Sequence, residues 1–479
     1  MRYKPLFRSL GLLLIGEAIL LIPSLLVSLI YRDGDTLSFA YTIVLLLACG
    51  LPLAMFIKTR VTSLYVREGF ALVGFAWIIL SLFGMLPFLF SGAIASPVDA
   101  FFETVSGFTT TGSSILPAVE GLPHGILFWR SFTHWVGGMG ILVFTIAIMP
   151  QLGLRNMELM RAESPGPNPE KLLPRIKQTA RMLYIIYFSL SLILFILLLC
   201  TGMHPFDSAV NTFGAAGTGG FSVLNVSIGG YNNPGAEIIM GIFMIVFSVN
   251  FTIYFLIVMR QWKKASRSSE LIAFIVAVSL AVIFITLNIA PRYNGILESL
   301  RHAFFQVSSI VSTSGFATTD FHIWPQFSRM VLLMLMFMGA CAGSTGGGVK
   351  VIRLVIGGKA IHRELESILH PHIVRTIYVD GKPVEDNILR SVLVFLFAYV
   401  SIIIVSTLIV SLDGFDFETN FTAVLATIGN IGPGLSLVGP MGNFGGFSDL
   451  SKIVLSFNML MGRLEIIPIM LLFTRSLWH

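Results

Sequence analysis

The chain has 479 residues, of which 55% are hydrophobic and 12% are charged, against about 25% charged in ordinary soluble domains. This composition is typical of a membrane protein with many spans. The formal net charge of +6 requires no nucleic-acid partner, because the basic residues cluster between apolar runs, where they orient spans. Cys49, Cys200 and Cys341 all lie in predicted spans, so there is no disulfide framework and no metal-ligand spacing.

Ten apolar runs are predicted to span the membrane, since about 20 residues cross a bilayer. They cover 5–31, 38–57, 69–93, 124–149, 179–203, 234–259, 270–291, 326–352, 387–411 and 451–474. The basic start of the chain resembles that of a signal peptide. We interpret the first run as a retained span, because it is too long and no small-residue cleavage site follows it.

Four shorter segments between the spans are predicted to be helices that enter the membrane without crossing it. They cover 99–108, 206–216, 300–311 and 417–428. Each is followed by a glycine, in the order Gly112, Gly219, Gly315 and Gly432. A short helix that ends at such a glycine can turn back within the membrane, where non-helical backbone must be buried in protein or line a water-filled path.

The four glycines lie about 100 residues apart, which indicates an internal repeat. The predicted fold is therefore an all-α polytopic membrane protein, in which an N-terminal two-helix hairpin precedes four span–pore-helix–span units around a central pore. The hairpin covers 1–67, and the units cover 68–178, 179–267, 268–386 and 387–479.

The basic residues predict the orientation of the chain. With the N-terminus inside, most of the 31 Lys and Arg residues fall on the inner side, as the positive-inside rule requires. Both termini are then cytoplasmic, and all four short helices enter from the outer face.

Four units around one axis would bring four short backbone segments to a common constriction. These segments are Thr110, Thr111 and Gly112; Thr218 and Gly219; Ser314 and Gly315; and Ile431 and Gly432. Glycine allows the backbone to turn its carbonyls toward the axis, and carbonyl oxygens can replace the hydration shell of a potassium ion. The alternative interpretation is that the glycines only allow tight turns or helix packing.

Acidic residues flank the short helices on the predicted outer face. They are Asp99, Glu103, Asp207, Glu298, Asp320, Asp416 and Glu418. We expect these carboxylates to concentrate cations near the mouth of the pore, an effect that salt would screen.

The stretch Gly339–Lys350, GACAGSTGGGVK, interrupts the eighth predicted span. Each glycine costs roughly 1 kcal/mol relative to alanine in a helix, so we expect a flexible segment below the constriction that blocks or opens the path. Its central residues are Gly343, Ser344, Thr345, Gly346, Gly347 and Gly348. A phosphate-binding loop is disfavoured, because Val349-Lys350 follow the last glycine instead of Lys-Ser or Lys-Thr. Close helix packing through small residues remains an alternative.

Arg463 lies halfway along the last predicted span. A charge at the bilayer centre costs roughly 2.5–3.5 kcal/mol and usually faces an interior or a water-filled path. Glu465 would point to a different helix face, so we expect Arg463 to oppose cations in the pore or to anchor the glycine loop. The alternative is an arginine that satisfies buried carbonyls, and for Arg130 and His134 we expect packing roles.

Several motifs resemble the Trk/Ktr/HKT superfamily of potassium transporters. They are TTTGSS after the first short helix, GPG after the fourth, GSTGGGVK in the third unit and GRLE in the last span. The resemblance covers nearly the whole chain, and the two extra N-terminal spans are most like the bacterial Trk branch. It implies four non-identical filter segments, a gating loop at Gly343–Gly348 and an opposing basic residue at Arg463.

The resemblance also implies partners and a location. It implies a homodimer with one pore per subunit in the bacterial cytoplasmic (inner) membrane. It further implies a peripheral cytoplasmic subunit that binds a nucleotide. This chain itself would bind no cofactor besides the transported K⁺. The inner loops 151–178 and 353–386 are available to that partner. The second segment, Ala216-Gly217-Thr218-Gly219, departs from a threonine-rich filter, which weakens the expectation of strict discrimination against sodium.

The predicted function is potassium uptake driven by the membrane potential, which is worth about 2.3 kcal/mol per charge for 100 mV. The alternative is a symporter coupled to protons or sodium, which needs a midplane carboxylate or a site at broken helices. Glu17 and Glu465 are the only deep carboxylates, and neither falls in the repeat. No acid accompanies His134 and a Ser or Thr, so we do not expect an enzyme.

Overall fold

The computed structural model describes residues 3–57, 66–138, 140, 176–370 and 376–475. Its first helices are α1 (Tyr3–Tyr31), α2 (Thr36–Phe56), α3 (Val66–Gly84), α4 (Leu86–Phe90), α5 (Pro97–Phe108) and α6 (His124–Gly138). Next come α7 (Ile176–Cys200), α8 (Pro205–Gly217), α9 (Pro234–Ser248), α10 (Phe251–Val258), α11 (Trp262–Ala265), α12 (Ser269–Ile289) and α13 (Ile296–Val311). The last are α14 (Gln326–Met338), α15 (Val351–Leu369), α16 (Asp386–Val410), α17 (Phe417–Ile428), α18 (Asp449–Arg463) and α19 (Ile467–Leu472).

The helical fold confirms the predicted class. In the described ranges, the one departure from an all-α fold is an antiparallel ribbon between α15 and α16. It consists of β1 (Tyr378–Val379) and β2 (Lys382–Pro383).

Six helices in the described ranges are long and apolar enough to cross a membrane, and the bent pair α9–α10 brings the number to seven. They correspond to the predicted spans one, two, three, five, six, seven and nine. Most of the second half of the fourth predicted span, 124–149, lies outside the described residues. The eighth is the short helix α14 followed by a non-helical stretch, as the glycine run predicted.

Two spans predicted to be continuous are broken, and for these the prediction was wrong. The pair α9–α10 bends by 91°, where Asn250 accepts a hydrogen bond from the N–H of Thr252 at 2.9 Å and starts a new helix. The last span ends at Arg463, because Glu465 and Ile466 have positive φ values of 57° and 68°, which do not continue a right-handed helix. Both breaks need partners elsewhere, since a backbone polar group in a membrane must be satisfied within the protein.

The four short helices form where they were predicted and make up the centre of the molecule. They are α5, α8, α13 and α17. In α5, Phe102, Val105 and Phe108 are fully buried, and the indole N–H of Trp129 donates to the carbonyl of Gly84 beside them at 3.0 Å. Long helices such as α1 and α16 instead expose large apolar side chains, as a lipid-facing shell would.

Candidate functional site

The four short helices end in the same backbone motif. Each is followed by a residue in the left-handed conformation: Thr110 (φ 54°), Thr218 (φ 58°), Thr313 (φ 59°) and Asn430 (φ 52°). In the first copy, the N–H of Thr110 bonds to the carbonyl of Gly107 at 3.1 Å, and that of Thr111 to the carbonyl of Ser106 at 2.9 Å. The equivalent two bonds close each of the other three helices. This Schellman arrangement satisfies the last helical carbonyls without water.

Two residues further on, each copy has a glycine with positive φ. These glycines are Gly112 (82°), Gly220 (83°), Gly315 (76°) and Gly432 (100°). The prediction that Gly219 is the counterpart of Gly112 is therefore wrong by one residue. Gly219 takes the place of Thr111, Ser314 and Ile431, because two adjacent glycines in the sequence do not reveal which of them adopts the positive φ.

The four glycines lie in a closed ring. A Cβ added to Gly112 would overlap the carbonyl oxygen of Gly219, one added to Gly220 that of Ser314, and one added to Gly315 that of Ile431. A Cβ on Gly432 would lie 2.9 Å from the carbonyl oxygen of Thr111. Each of these carbonyls belongs to the residue before the glycine of the next copy, so the four segments meet around one axis in chain order. We call these four glycines and the four preceding residues the ring.

Side-chain hydrogen bonds fasten the ring where the first and fourth copies meet. The hydroxyl of Ser113 donates to the carbonyl of Gly432 at 2.9 Å. The amide of Asn430 donates to the hydroxyl of Thr111 and to the carbonyl of Met459, each at 2.9 Å. All three polar side chains are at most 1% exposed, so these bonds fix the geometry in a dry environment.

Four carbonyl oxygens of the ring have no hydrogen-bond donor among the described residues. They belong to Thr111, Gly219, Ser314 and Ile431, all of them buried residues. More than nine in ten buried backbone groups find a partner. A ring with four unpartnered buried carbonyls is therefore a candidate binding site for a positively charged species.

His134 explains why the second copy departs from the threonine-rich pattern. Its imidazole lies where a side chain of residue 219 would have to be, and its carbonyl oxygen lies where a Cβ of Gly217 would be. The imidazole of His134 lies between the carbonyl of Gly107, 2.8 Å from Nδ1, and the aromatic ring of Phe221, whose centroid is 4.1 Å from that of the imidazole. His134 therefore has the expected packing role, because its imidazole fills the space that a side chain at position 219 would occupy.

The outer carboxylates are largely engaged within the protein. Glu103 is buried and bonds to Arg130 Nε at 2.6 Å, to the N–H of Ile115 at 3.0 Å and to the hydroxyl of Ser114. The expectation that Glu103 is available to attract cations at the mouth is therefore wrong. Asp99 pairs with Lys452 at 2.6 Å.

Asp416 caps α17 at the predicted outer face. It accepts hydrogen bonds from the hydroxyl of Thr419 at 2.5 Å and from its N–H at 3.2 Å. The hydroxyl bond is the largest cause that lowers the pKa of Asp416 from its ordinary value. This carboxylate therefore stays charged in its capping position.

The glycine loop, Gly339–Lys350, connects α14 to α15 without helical structure, as predicted. Gly339, Gly343 and Gly348 have positive φ values of 67°, 70° and 81°. The loop packs against the bend between α9 and α10. There the N–H of Phe251 donates to the carbonyl of Gly343 at 2.9 Å, and the N–H of Cys341 donates to the carbonyl of Ser248 at 3.1 Å. Two interrupted spans thereby satisfy each other's backbone.

The same loop lies next to the ring segments of the third and fourth copies. The N–H of Gly347 donates to the hydroxyl of Thr313 at 2.7 Å. A Cβ on Gly347 would lie 2.5 Å from the carbonyl oxygen of Gly429, and one on Gly346 would lie 2.9 Å from that of Ser312. Side chains at Gly346 and Gly347 would therefore push the loop away from the ring.

Arg463 joins the glycine loop to the end of α6. Its Nη1 donates to the carbonyl of Thr345 at 2.7 Å, and its Nη2 donates to the carbonyls of Gly137 and Gly138, the latter at 3.0 Å. Glu465 instead pairs with Arg353 of α15 at 2.5 Å. Arg463 thus anchors the loop by satisfying buried carbonyls. The interpretation as a loop anchor and the interpretation as an arginine that satisfies carbonyls therefore describe the same contact.

These features define a helical membrane protein in which four helix–glycine segments close a ring above an interrupted span. The model of the TrkH family, described as a cation transport protein, matches residues 37–479. The chain belongs to this family. Among the described residues, no group of three His, Cys, Asp or Glu side chains could hold a metal ion.

Named relatives share the full length of the chain. It is 40% identical over 484 residues to the Trk system potassium uptake protein TrkH of Salmonella typhimurium, with 100% of both chains covered. It is 32% identical over 464 residues to the protein TrkG of Escherichia coli, covering 96% of this chain and 95% of that one. The crystal structure of the potassium transporter TrkH from Vibrio parahaemolyticus matches with a TM-score of 0.89 at 36% identity, over 100% of both chains.

The buried pair Glu103–Arg130 yields a stability prediction. Arg130→Ala should lower the free energy of unfolding by about 3–5 kcal/mol, because it leaves a buried carboxylate without its partner. Arg329→Ala is the matched control, since its pair with Glu418 is partly exposed and such pairs contribute about 1 kcal/mol or less. Thermal unfolding of the purified variants measures both, and equal losses would contradict the assigned burial.

Proposed function

We propose that this chain is the membrane subunit of a potassium-uptake system and that potassium crosses through the ring. The relatives are named as potassium uptake proteins. The observation that carries the proposal is the set of four buried ring carbonyls without a donor among the described residues. Oxygens in this arrangement take the place of the hydration shell of a large alkali cation.

The electrostatics of the four short helices favour a cation at the ring. Each helix ends just before its ring segment, so its C-terminal end lies next to the ring. A helix C-terminus carries a partial negative charge equivalent to roughly half an elementary charge. Four such ends converge, and an anion would be repelled from the place where a cation is stabilised.

The glycine loop is proposed to be the gate. It lies against the ring segments of the third and fourth copies, and its carbonyl at Thr345 is held by Arg463. The guanidinium group also places a positive charge beside the loop, which opposes entry of a cation. Movement of the segment Gly343–Gly348 away from the ring would therefore remove an obstacle and displace this charge from the path.

The assembly and location are proposed on the family resemblance. The chain forms a homodimer with one pore per subunit, with both termini on the cytoplasmic side of the bacterial inner membrane. A peripheral subunit that binds nucleotide contacts the cytoplasmic segment 353–386; the other available segment, 151–178, lies almost entirely outside the described residues. No cofactor is assigned to this chain.

Ion flux into proteoliposomes that hold only this chain tests the proposed function. We expect uptake of K⁺ under an imposed inside-negative potential, with no requirement for a sodium or proton gradient. The reason is that 100 mV alone is worth about 2.3 kcal/mol per charge. Uptake that ceases when those gradients are removed would contradict a passive pore and favour the symporter.

The ring yields a prediction on selectivity. Gly112→Ser and Gly220→Ser should both raise sodium permeability relative to potassium, because a Cβ at either position overlaps a ring carbonyl of the next copy. Gly121→Ser is the matched control, since Gly121 also has positive φ but has open space around its Cβ position. Unchanged ion selectivity in both ring variants, at normal protein levels, would rule out this assignment of the ring.

The loop yields a prediction on gating. Arg463→Ala should raise potassium flux without any partner, because it frees the carbonyl of Thr345 and removes a positive charge, and deletion of Gly346–Gly348 should do the same. Arg363→Ala is the control, since this arginine pairs with the exposed Asp386. A reduced flux in Arg463→Ala at normal stability would indicate a structural arginine, and an unchanged flux in the deletion would place the gate elsewhere.

A further inference from the structure

The side chain of Glu270 reaches the glycine loop from another span. Glu270 lies in the first turn of α12 and is only 5% exposed. Its Oε1 accepts hydrogen bonds from the N–H of Ala342 at 2.7 Å and from the N–H of Ile352 at 3.1 Å. Ala342 lies near the start of the loop and Ile352 lies just after its end. One carboxylate oxygen therefore joins both ends of the loop.

A carboxylate suits this position for two physical reasons. The first N–H groups of a helix have no partner within that helix, and Ile352 is the second residue of α15. A negative charge near a helix N-terminus is also stabilised by the helix dipole. The loop itself contains no acidic residue, so a carboxylate in this position has to come from outside it.

The β1–β2 ribbon connects the base of α12 to α15. The N–H of Ser269, the residue before Glu270, donates to Asp380 Oδ1 at the tip of the ribbon at 2.6 Å. On the other side, Lys359 Nζ of α15 donates to the carbonyl of Tyr378 in β1 at 2.7 Å. The ribbon lies in the segment that we assign to the cytoplasmic face. It therefore touches both helices that meet at the loop.

We propose that Glu270 is the positioning residue that keeps the glycine loop in place, and that Asp380 transmits movement of the ribbon to it. Displacement of the ribbon shifts Ser269 and with it Glu270, and the two hydrogen bonds to the loop lengthen. The loop then leaves its site beside the ring. The expected effect on ion flux rests on the proposed function. The effect of Glu270 on the position of the loop does not, because that position can be measured separately.

The thiol of Cys341 is a native reporter of the loop. The chain has three cysteines, so Cys49→Ser and Cys200→Ser leave one thiol. Cys341 is fully buried and precedes Ala342, the residue bonded to Glu270. The rate at which a small charged methanethiosulfonate reagent modifies Cys341 therefore measures how often the loop opens.

The experiment compares Glu270→Ala, Glu270→Gln and Asp380→Ala in this background, in proteoliposomes that hold the chain alone. We expect Glu270→Ala to raise the modification rate about tenfold, which corresponds to about 1.4 kcal/mol. Glu270→Gln should raise it less, because its amide oxygen still accepts a hydrogen bond. Asp380→Ala should also raise it, whereas Glu364→Gln, an exposed carboxylate of α15, should not.

Flux measured on the same samples separates the two proposals. Faster modification with higher potassium flux supports both the role of Glu270 and the loop as gate. Faster modification with unchanged flux supports the role of Glu270 and contradicts the gate. If folded Glu270→Gln and Asp380→Ala are both modified at the wild-type rate, the inference is overturned. This outcome is decisive even if Glu270→Ala does not fold.

Discussion

The structure depends on one constraint, which is that interrupted backbone in a membrane needs partners within the protein. Three interruptions occur in the described spans: between α9 and α10, along the glycine loop, and after Arg463. They lie together and satisfy one another, since the loop bonds to the bend at Ser248 and Phe251, and Arg463 bonds to the loop at Thr345. The three breaks therefore form one connected unit.

We propose that the ring gives the molecule its function. The same helix ending closes four short helices, and hydrogen bonds from Ser113 and Asn430 join the first and fourth copies. The carbonyls of the ring residues Thr111, Gly219, Ser314 and Ile431 find no donor in the described part of the chain. We propose that a dehydrated cation bound there offsets the free-energy cost of roughly 1–3 kcal/mol for each unsatisfied buried group. The loop lies beside this site and is held by Arg463, and we propose that both control access to it.

The sequence alone predicted most of the fold, because span lengths, short helices and glycine runs are local properties. It predicted the glycine loop, a contact between Arg463 and that loop, and the positions of three of the four ring glycines. It missed Gly220, since only the imidazole of His134 explains why Gly219 takes the place of a side-chain-bearing residue. It also missed the bend at Asn250 and the break at Glu465, which are stable only through contacts with residues far away in the chain. Local sequence patterns therefore predicted the helices and the loop. Tertiary contacts determined which glycine of the second copy belongs to the ring and where the spans are broken.

We propose that a potassium ion binds to the ring carbonyls. Anomalous diffraction from crystals of this protein grown in Rb⁺ or Tl⁺ tests it most directly, because these ions substitute for K⁺ and scatter anomalously. We expect a peak on the axis between the carbonyl oxygens of Thr111, Gly219, Ser314 and Ile431. A protein that transports Rb⁺ but shows no peak at the ring, or shows its peaks elsewhere, would contradict the account.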